Sequence, residues 1–319
     1  MKKVLFLCLF VLGMIITNID VKAVSIGGIN VDTVTSGDGL YEDGYEKGRY
    51  IYRGVNPDNY IKFNDELWRI ISVEADGSIK IMRSQSLGDM EWDDDLSNPP
   101  IDWAMPVSLN TYLNEEYIKT LKDSDKIVSH DFSIGSITYY NRDLAGQISD
   151  ENSYKWNGKI GLITLSEYLR TNSDMVNCGT FGGSNKTCLE TSWMGKVGWT
   201  ITPNKNGNIA TVGTYNHNIF GWLAMKGKSF SVRPALYLSS EISLKGEGTE
   251  GNPYQFVKEE IPEEVTDNES GITESENEVP QIVEVPSTSA YGSIIIIVLG
   301  IICIIVSVFV MRRVTKKEG

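Results

Sequence analysis

The sequence predicts an α+β domain, and three observations carry that expectation. Short runs that alternate polar and apolar residues at a period of two, such as Ser78–Arg83 (SIKIMR), stand near both ends of the exposed part of the chain. Turn dipeptides separate them, Asp76-Gly77 being a strong hairpin signal. Between these groups, Pro106–Leu121 changes to helical spacing, so that strands flank a helical middle.

Taken in order, residues 36–54 alternate glycine and tyrosine with charges, which suits turns leading into a strand at Arg49–Arg53. Asn56-Pro57-Asp58-Asn59 is a turn by its chemistry. Tyr60–Phe63 and Glu66–Glu74 read as a hairpin across Asn64-Asp65, and Ser78–Arg83 adds a third antiparallel strand. Residues 88–103 form an irregular loop. Leu109, Tyr112, Leu113, Tyr117 and Leu121 then share a helix face, with Pro106 near its first turn. Lys159–Thr164 reads as a strand, and Ser166 caps a short helix through Arg170. Lys196–Thr202, Ile209–Thr214 and Phe230–Leu238 complete the strands.

The segments around the domain read as export and anchoring. Residues 1–23 have a basic head (Lys2, Lys3), an apolar run from Val4 to Ile16, and small residues at Val21 and Ala23, the pattern of a signal peptide cleaved after Ala23. An uncleaved N-terminal anchor is the alternative. Residues 24–48 are a lead-in, 49–257 the ectodomain, and 258–290 an acidic stalk without an aromatic residue, which is expected to be extended and disordered. Ile294–Met311 is eighteen residues without a charge, roughly 27 Å as a helix and long enough to cross a bilayer. The span is placed at 291–311, and the basic tail 312–319 puts the C-terminus inside and the N-terminal part outside.

Charge narrows the partners. The formal net charge is −13, and the stalk and ectodomain are both acidic. That excludes nucleic acid, whose phosphates need lysine and arginine, and argues against docking on anionic lipid.

Two resemblances add to this reading. FNDELWRIISV at 63–73, SLNTYLNEEY at 108–117, GKIGLIT at 158–164, VRPALYL at 232–238 and GEGTEGNPY at 246–254 resemble an uncharacterised domain of bacterial surface proteins. That domain is similar in arrangement to C-type-lectin-like folds and formylglycine-generating enzymes. The resemblance implies antiparallel strands pairing the N- and C-terminal parts, with long loops on one side, and it implies no agreed activity. Val285-Pro286-Ser287-Thr288-Ser289, followed by the span and basic tail, resembles a Gram-positive sorting signal. It implies sortase cleavage after Thr288 and attachment to the cell wall. Val285 and Ser289 depart from the commonest form of the motif, and simple retention in the membrane is the alternative.

Several residues are candidates for chemistry. Cys178 and Cys188 enclose CGTFGGSNKTC, and in an exported chain a disulfide is the default over free thiols or a redox or metal site. Asp93, Asp94 and Asp95 offer the hard oxygens that Ca²⁺ prefers, or form a solvated acidic loop; calcium is the one cofactor considered. Trp68 and Trp199 read as core. Trp92, Trp103, Trp193 and Trp222 lie in or near loops and are the candidate ligand contacts. His130 and His217 are the only histidines, and neither sits in a catalytic motif. Arg233, before Pro234, reads as a paired structural arginine, with ligand binding as the other reading. The expectation is a non-catalytic surface module for an extracellular glycan or protein. An extracellular oxidising or hydrolytic enzyme on the same fold is the alternative.

Overall fold

The computed structural model describes residues 22–94, 101–138, 143–179, 187–214, 219–223 and 227–257. All the described residues belong to one unit, within Met1–Glu260. The expected stalk, membrane span, basic tail and sorting motif lie outside the described residues, as does the expected leader through residue 21. Among the described residues no helix is long and apolar enough to cross a membrane.

A hairpin comes first, β1 (Ala23–Ile26) and β2 (Ile29–Asp32), turned at Gly27-Gly28 with φ of 55° and 83°. Then follow β3 (Gly39–Glu42), β4 (Tyr50–Arg53), β5 (Tyr60–Phe63), β6 (Glu66–Val73) and β7 (Ile79–Arg83). Between β5 and β6, Asn64 and Asp65 take φ of 56° and 58°, the two left-handed residues that a type I′ hairpin turn requires. A side chain replaces glycine's freedom here: Asn64 Oδ1 accepts from the Lys122 amide at 2.8 Å, and Asp123 accepts from the Asn64 amide at 2.7 Å.

After β8 (Asp89–Glu91), Pro106–Leu121 is helical but not one regular helix. It runs as α1 (Ser108–Thr111), a π-helical turn (Tyr112–Glu116) and a 3₁₀ turn (Tyr117–Thr120). Asn114, in the wide turn, donates to the Ile160 carbonyl at 2.8 Å and accepts from the Ile160 amide at 3.0 Å. Its side chain thus replaces a neighbouring strand. Next come β9 (Ile127–Val128), β10 (His130–Ser133), α2 (Leu144–Glu151), β11 (Lys155–Gly158), β12 (Ile160–Gly161), α3 (Leu165–Arg170), α4 (Met175–Cys178) and α5 (Thr187–Glu190). The chain continues through β13 (Gly198–Pro203), β14 (Asn208–Val212), β15 (Ile219–Leu223), β16 (Ser229–Ser231), β17 (Ala235–Leu238), β18 (Leu244–Lys245) and β19 (Gln255–Phe256).

The class is α+β, built on one antiparallel sheet in the order β12-β17-β7-β6-β4-β3, with β5 also on β6 and β9 on β17. Strands from the C-terminal part pair with strands from the N-terminal part, β17 with β7 and β16 with β8. Neighbouring residues fall into opposite cores: Ile70, Ile81 and Leu236 into one, Ile71, Met82 and Ala235 into the other. Both faces are buried, so β6 buries every residue from 68 to 73, Arg69 and Ser72 included. The larger core carries Trp68, Trp92, Trp103 and Trp199, and Leu165, Tyr168 and Leu169 of α3 help fill the smaller.

Four expectations need correction. The cap of α3 is Thr164, in a capping box with Glu167, because Ser166 is turned to Glu151. Phe230–Leu238 is two strands in two sheets, β16 and β17; Pro234 has no N–H to offer a ladder, and the chain changes sheet there. Lys159–Thr164 contributes only Ile160–Gly161 as strand, since Thr164 already begins the cap. Residues 24–48 are not a loose lead-in: Val24, Ile26 and Leu40 are buried in the larger core.

The disulfide Cys178–Cys188 joins α4 to α5. Closing that short loop restricts the unfolded chain by about 3 kcal/mol. Reduction, or Cys178→Ala with Cys188→Ala, should lower unfolding stability by about that amount in urea titrations, and the slowest-exchanging amides, which open only by global unfolding, should lose the same protection.

Candidate functional site

The tryptophans chosen as ligand contacts have different fates. Trp92 and Trp103 are fully buried, ring centroids 5.1 Å apart, with Trp92 also 5.6 Å from Trp199. They are core residues and present no face to a ligand, because rings of that size pack together wherever loops fold over a core. Trp222 lies on β15 opposite Ile209, and its side chain is outside the described residues. Trp193 alone stands at the wall of an open groove, and it is described below.

The other candidates place as follows. Asp93 and Asp94 both accept from the Ser108 hydroxyl, at 2.7 and 2.5 Å, and Asp95 lies outside the described residues. Among the described residues no three His, Cys, Asp or Glu side chains gather as a metal site. His130 stacks on Tyr237 with centroids 3.8 Å apart, Nε2 3.6 Å from Asp76. His217 is outside the described residues.

One polar centre was not read from the sequence at all. Arg49 on the approach to β4, Lys80 on β7 and Glu167 and Arg170 on α3 are all nearly inaccessible. Glu167 accepts from Lys80 at 2.7 and 2.8 Å, from Arg49 at 2.9 Å and from the Thr164 amide at 2.8 Å. Arg49 also pairs with Asp43, Glu46 and Glu74, each at 3.0 Å, and Arg170 pairs with Asp43 and Glu46. Burial alone would push the Glu167 carboxyl up, but Lys80 and Arg49 outweigh it and hold it below the usual carboxylate range. Glu46 behaves alike: burial opposes, Arg170 and Arg49 win, and its pKa is lowered to about 2. Glu151 is the exception. Burial raises its pKa, and the hydrogen bonds from Ser166 and Thr202 do not offset that.

A cavity of about 220 Å³ opens onto this network and is lined also by His130 and Lys155. Its buried cations are matched by carboxylates, so the charges are satisfied within the fold. The arrangement is a structural one.

A second groove, of about 470 Å³, is built differently. Tyr60 on β5 pairs across the sheet with Arg69 on β6, and the Arg69 guanidinium lies 3.6 Å over the Tyr60 ring and 5.0 Å from the Trp193 ring. Trp193 is held by its indole N–H donating to the Tyr52 carbonyl at 3.0 Å. Arg69 donates only to neutral acceptors, Asn59 Oδ1 and the Pro57 carbonyl at 3.1 Å. Arg233 donates to the Arg83 carbonyl at 2.9 Å and the Met194 carbonyl at 2.6 Å. Arg233 is thus paired, but with two backbone carbonyls: among the described residues no carboxylate is in ion-pair contact with it or with Arg69. Burial lowers each arginine to about 10, with Arg69 adding repulsion at Arg233. Both stay charged at neutral pH.

Glu167→Gln should cost about 3–5 kcal/mol, because it leaves Lys80 buried without its carboxylate, and adding Lys80→Met should restore part of that loss in a double-mutant cycle. Acid should melt the domain. Glu167 and Glu46 have lowered values, so their stabilisation is complete above about pH 4.3 and drains away as the pH falls towards 2. Glu151, with its raised value, works in the opposite sense, losing stability as the pH rises through its folded pKa. Two carboxylates against one predict a melting temperature that drops between pH 5 and 2, and less steeply in Glu167→Gln. Compared with protein-family models, with curated proteins and with solved structures, the chain finds no match in any of the three.

Proposed function

We propose that this chain is a cell-surface binding module: exported, held by its C-terminal apolar run, and displaying residues 24–257 to an extracellular glycan or protein. The reading takes the lectin-like arrangement from the sequence motifs, and the pairing of β17 with β7 and β16 with β8 supports it. The observation that carries it is the groove at Trp193, where two nearly inaccessible cations hydrogen-bond to neutral oxygens and, among the described residues, make no ion-pair contact with a carboxylate. Leaving a buried charge unmatched is costly, and a ligand that completes it recovers that cost on binding. The acidic stalk gives reach, and the anchor is either the retained membrane span or a wall linkage through Thr288.

The other reading, an extracellular enzyme, rests on Glu151, whose raised pKa and contact with the Ser166 hydroxyl beside the small cavity are features that catalysis also uses. Two measurements decide. Protease added to intact cells should release the domain, and a domain that stays protected overturns the surface placement. On an array of extracellular glycans and matrix proteins, the chain should retain a ligand that mass spectrometry recovers chemically unchanged. A cleaved or oxidised ligand would mean an enzyme.

A further inference from the structure

The geometry points to an acidic sugar as the ligand of the Trp193 groove, its carboxylate seated between the guanidiniums of Arg69 and Arg233. This rests on the binding-module reading and names the chemistry of that site.

Four observations lead there. Arg69 is 6% and Arg233 7% exposed, yet both line an open groove. Each spends hydrogen bonds on carbonyl or amide oxygens and none on a carboxylate; Glu250 and Asp58 act on Arg69 only through space, without a hydrogen bond. Arg83 lines the same wall but is taken by Glu66, at 2.7 and 3.1 Å, which sets it apart from the other two. Finally, the groove carries four cations (these three and Lys196) against two carboxylates (Glu66 and Glu250) in a chain whose net charge is −13. A net positive groove on an acidic protein draws in anions and disfavours the protein's own surface.

Guanidinium is a planar fork whose N–H groups match the two oxygens of a carboxylate. Burial strengthens such a bond, because the competing water is already gone. The rest of the groove favours a sugar over a peptide as the carrier. Gln85 offers an amide and Glu250 a carboxylate oxygen that can accept from sugar hydroxyls along the rim. None of the large hydrophobic residues exposed among the described residues lines it, and a peptide needs such an apolar anchor to bind well.

The test uses the full chain in detergent and an oligosaccharide of glucuronic acid, with its methyl ester as the uncharged match. Calorimetry should give binding of the acid at least about tenfold tighter than the ester, weakening as salt is raised. Arg233→Gln and Arg69→Gln should each lose about tenfold or more for the acid and little for the ester. The exposed rim variant Lys196→Gln should change both by no more than a few-fold. Equal affinity of acid and ester overturns the proposal without any variant, so a variant that fails to fold does not shelter it. Wild-type affinity in a variant that melts normally overturns it too. Tight binding of neutral sugars alone in the groove would leave the module reading standing and remove the carboxylate. Capture of an acidic peptide in place of the sugar would overturn the sugar assignment. Binding of nothing on the array or in the calorimeter would remove both.

Discussion

Glu167 is where helix and sheet are held together. It closes the capping box of α3, neutralises Lys80 from β7 and receives Arg49 from the start of β4. Each partner alone would be a buried charge costing several kcal/mol, and the arrangement is tolerable only because the three are together. The order of the sheet follows from it in part, since β4 and β7 flank β6 and both turn a cation towards the same helix. Lys80 also lies 5.1 Å from the Phe132 ring and 5.0 Å from the Tyr237 ring, which places β10 and β17 around the same amine.

The same fold handles buried charge in two ways, and the contrast separates support from function. Around Glu167, cations and carboxylates match and the interior is closed in electrostatic terms. Around Trp193, two arginines are held by neutral oxygens and keep a field that reaches the groove. A fold selected only for stability gains nothing from that second arrangement, because an apolar side chain of similar volume would cost less. Arg69 stands on a central strand and is held by Asn59 and Pro57, and Arg233 is held by the Arg83 carbonyl at the end of β7 and the Met194 carbonyl. A guanidinium so fixed loses little entropy when a ligand arrives.

Much of the sheet was legible before the structure. The strands at 50–53, 60–63, 66–73 and 79–83 follow from alternation and from turn chemistry at Asn64-Asp65 and Asp76-Gly77. The shortest elements were not: β9, β18 and β19 have two residues each, too few to show a period, and the N-terminal hairpin β1-β2 was passed over as a lead-in. α2 was missed for a related reason, its apolar face having only Leu144 and Ile148 within two turns. The site was legible in fragments. Trp193 was among the candidates, but Trp92 and Trp103 were judged by their loop setting, and a loop that folds across a core buries its rings. Arg69 sits in the middle of an apolar strand and carries no motif, so nothing marked it.

Sequence alone determined what depends on neighbours along the chain: the class, the hairpins, the cysteine loop, the acidic balance and the order of the expected leader, stalk and apolar run. Periodicity, turn residues and charge are local quantities, and reading them needs no partner. Tertiary structure decided which charges are matched. Arg49 and Glu167 are 118 residues apart, and Arg83 and Arg233 are 150 apart, yet they are in contact. Whether an arginine ends beside a carboxylate or a carbonyl is set by how distant strands register. That difference, invisible in the order of residues, is what makes one cluster a brace and the other the candidate site.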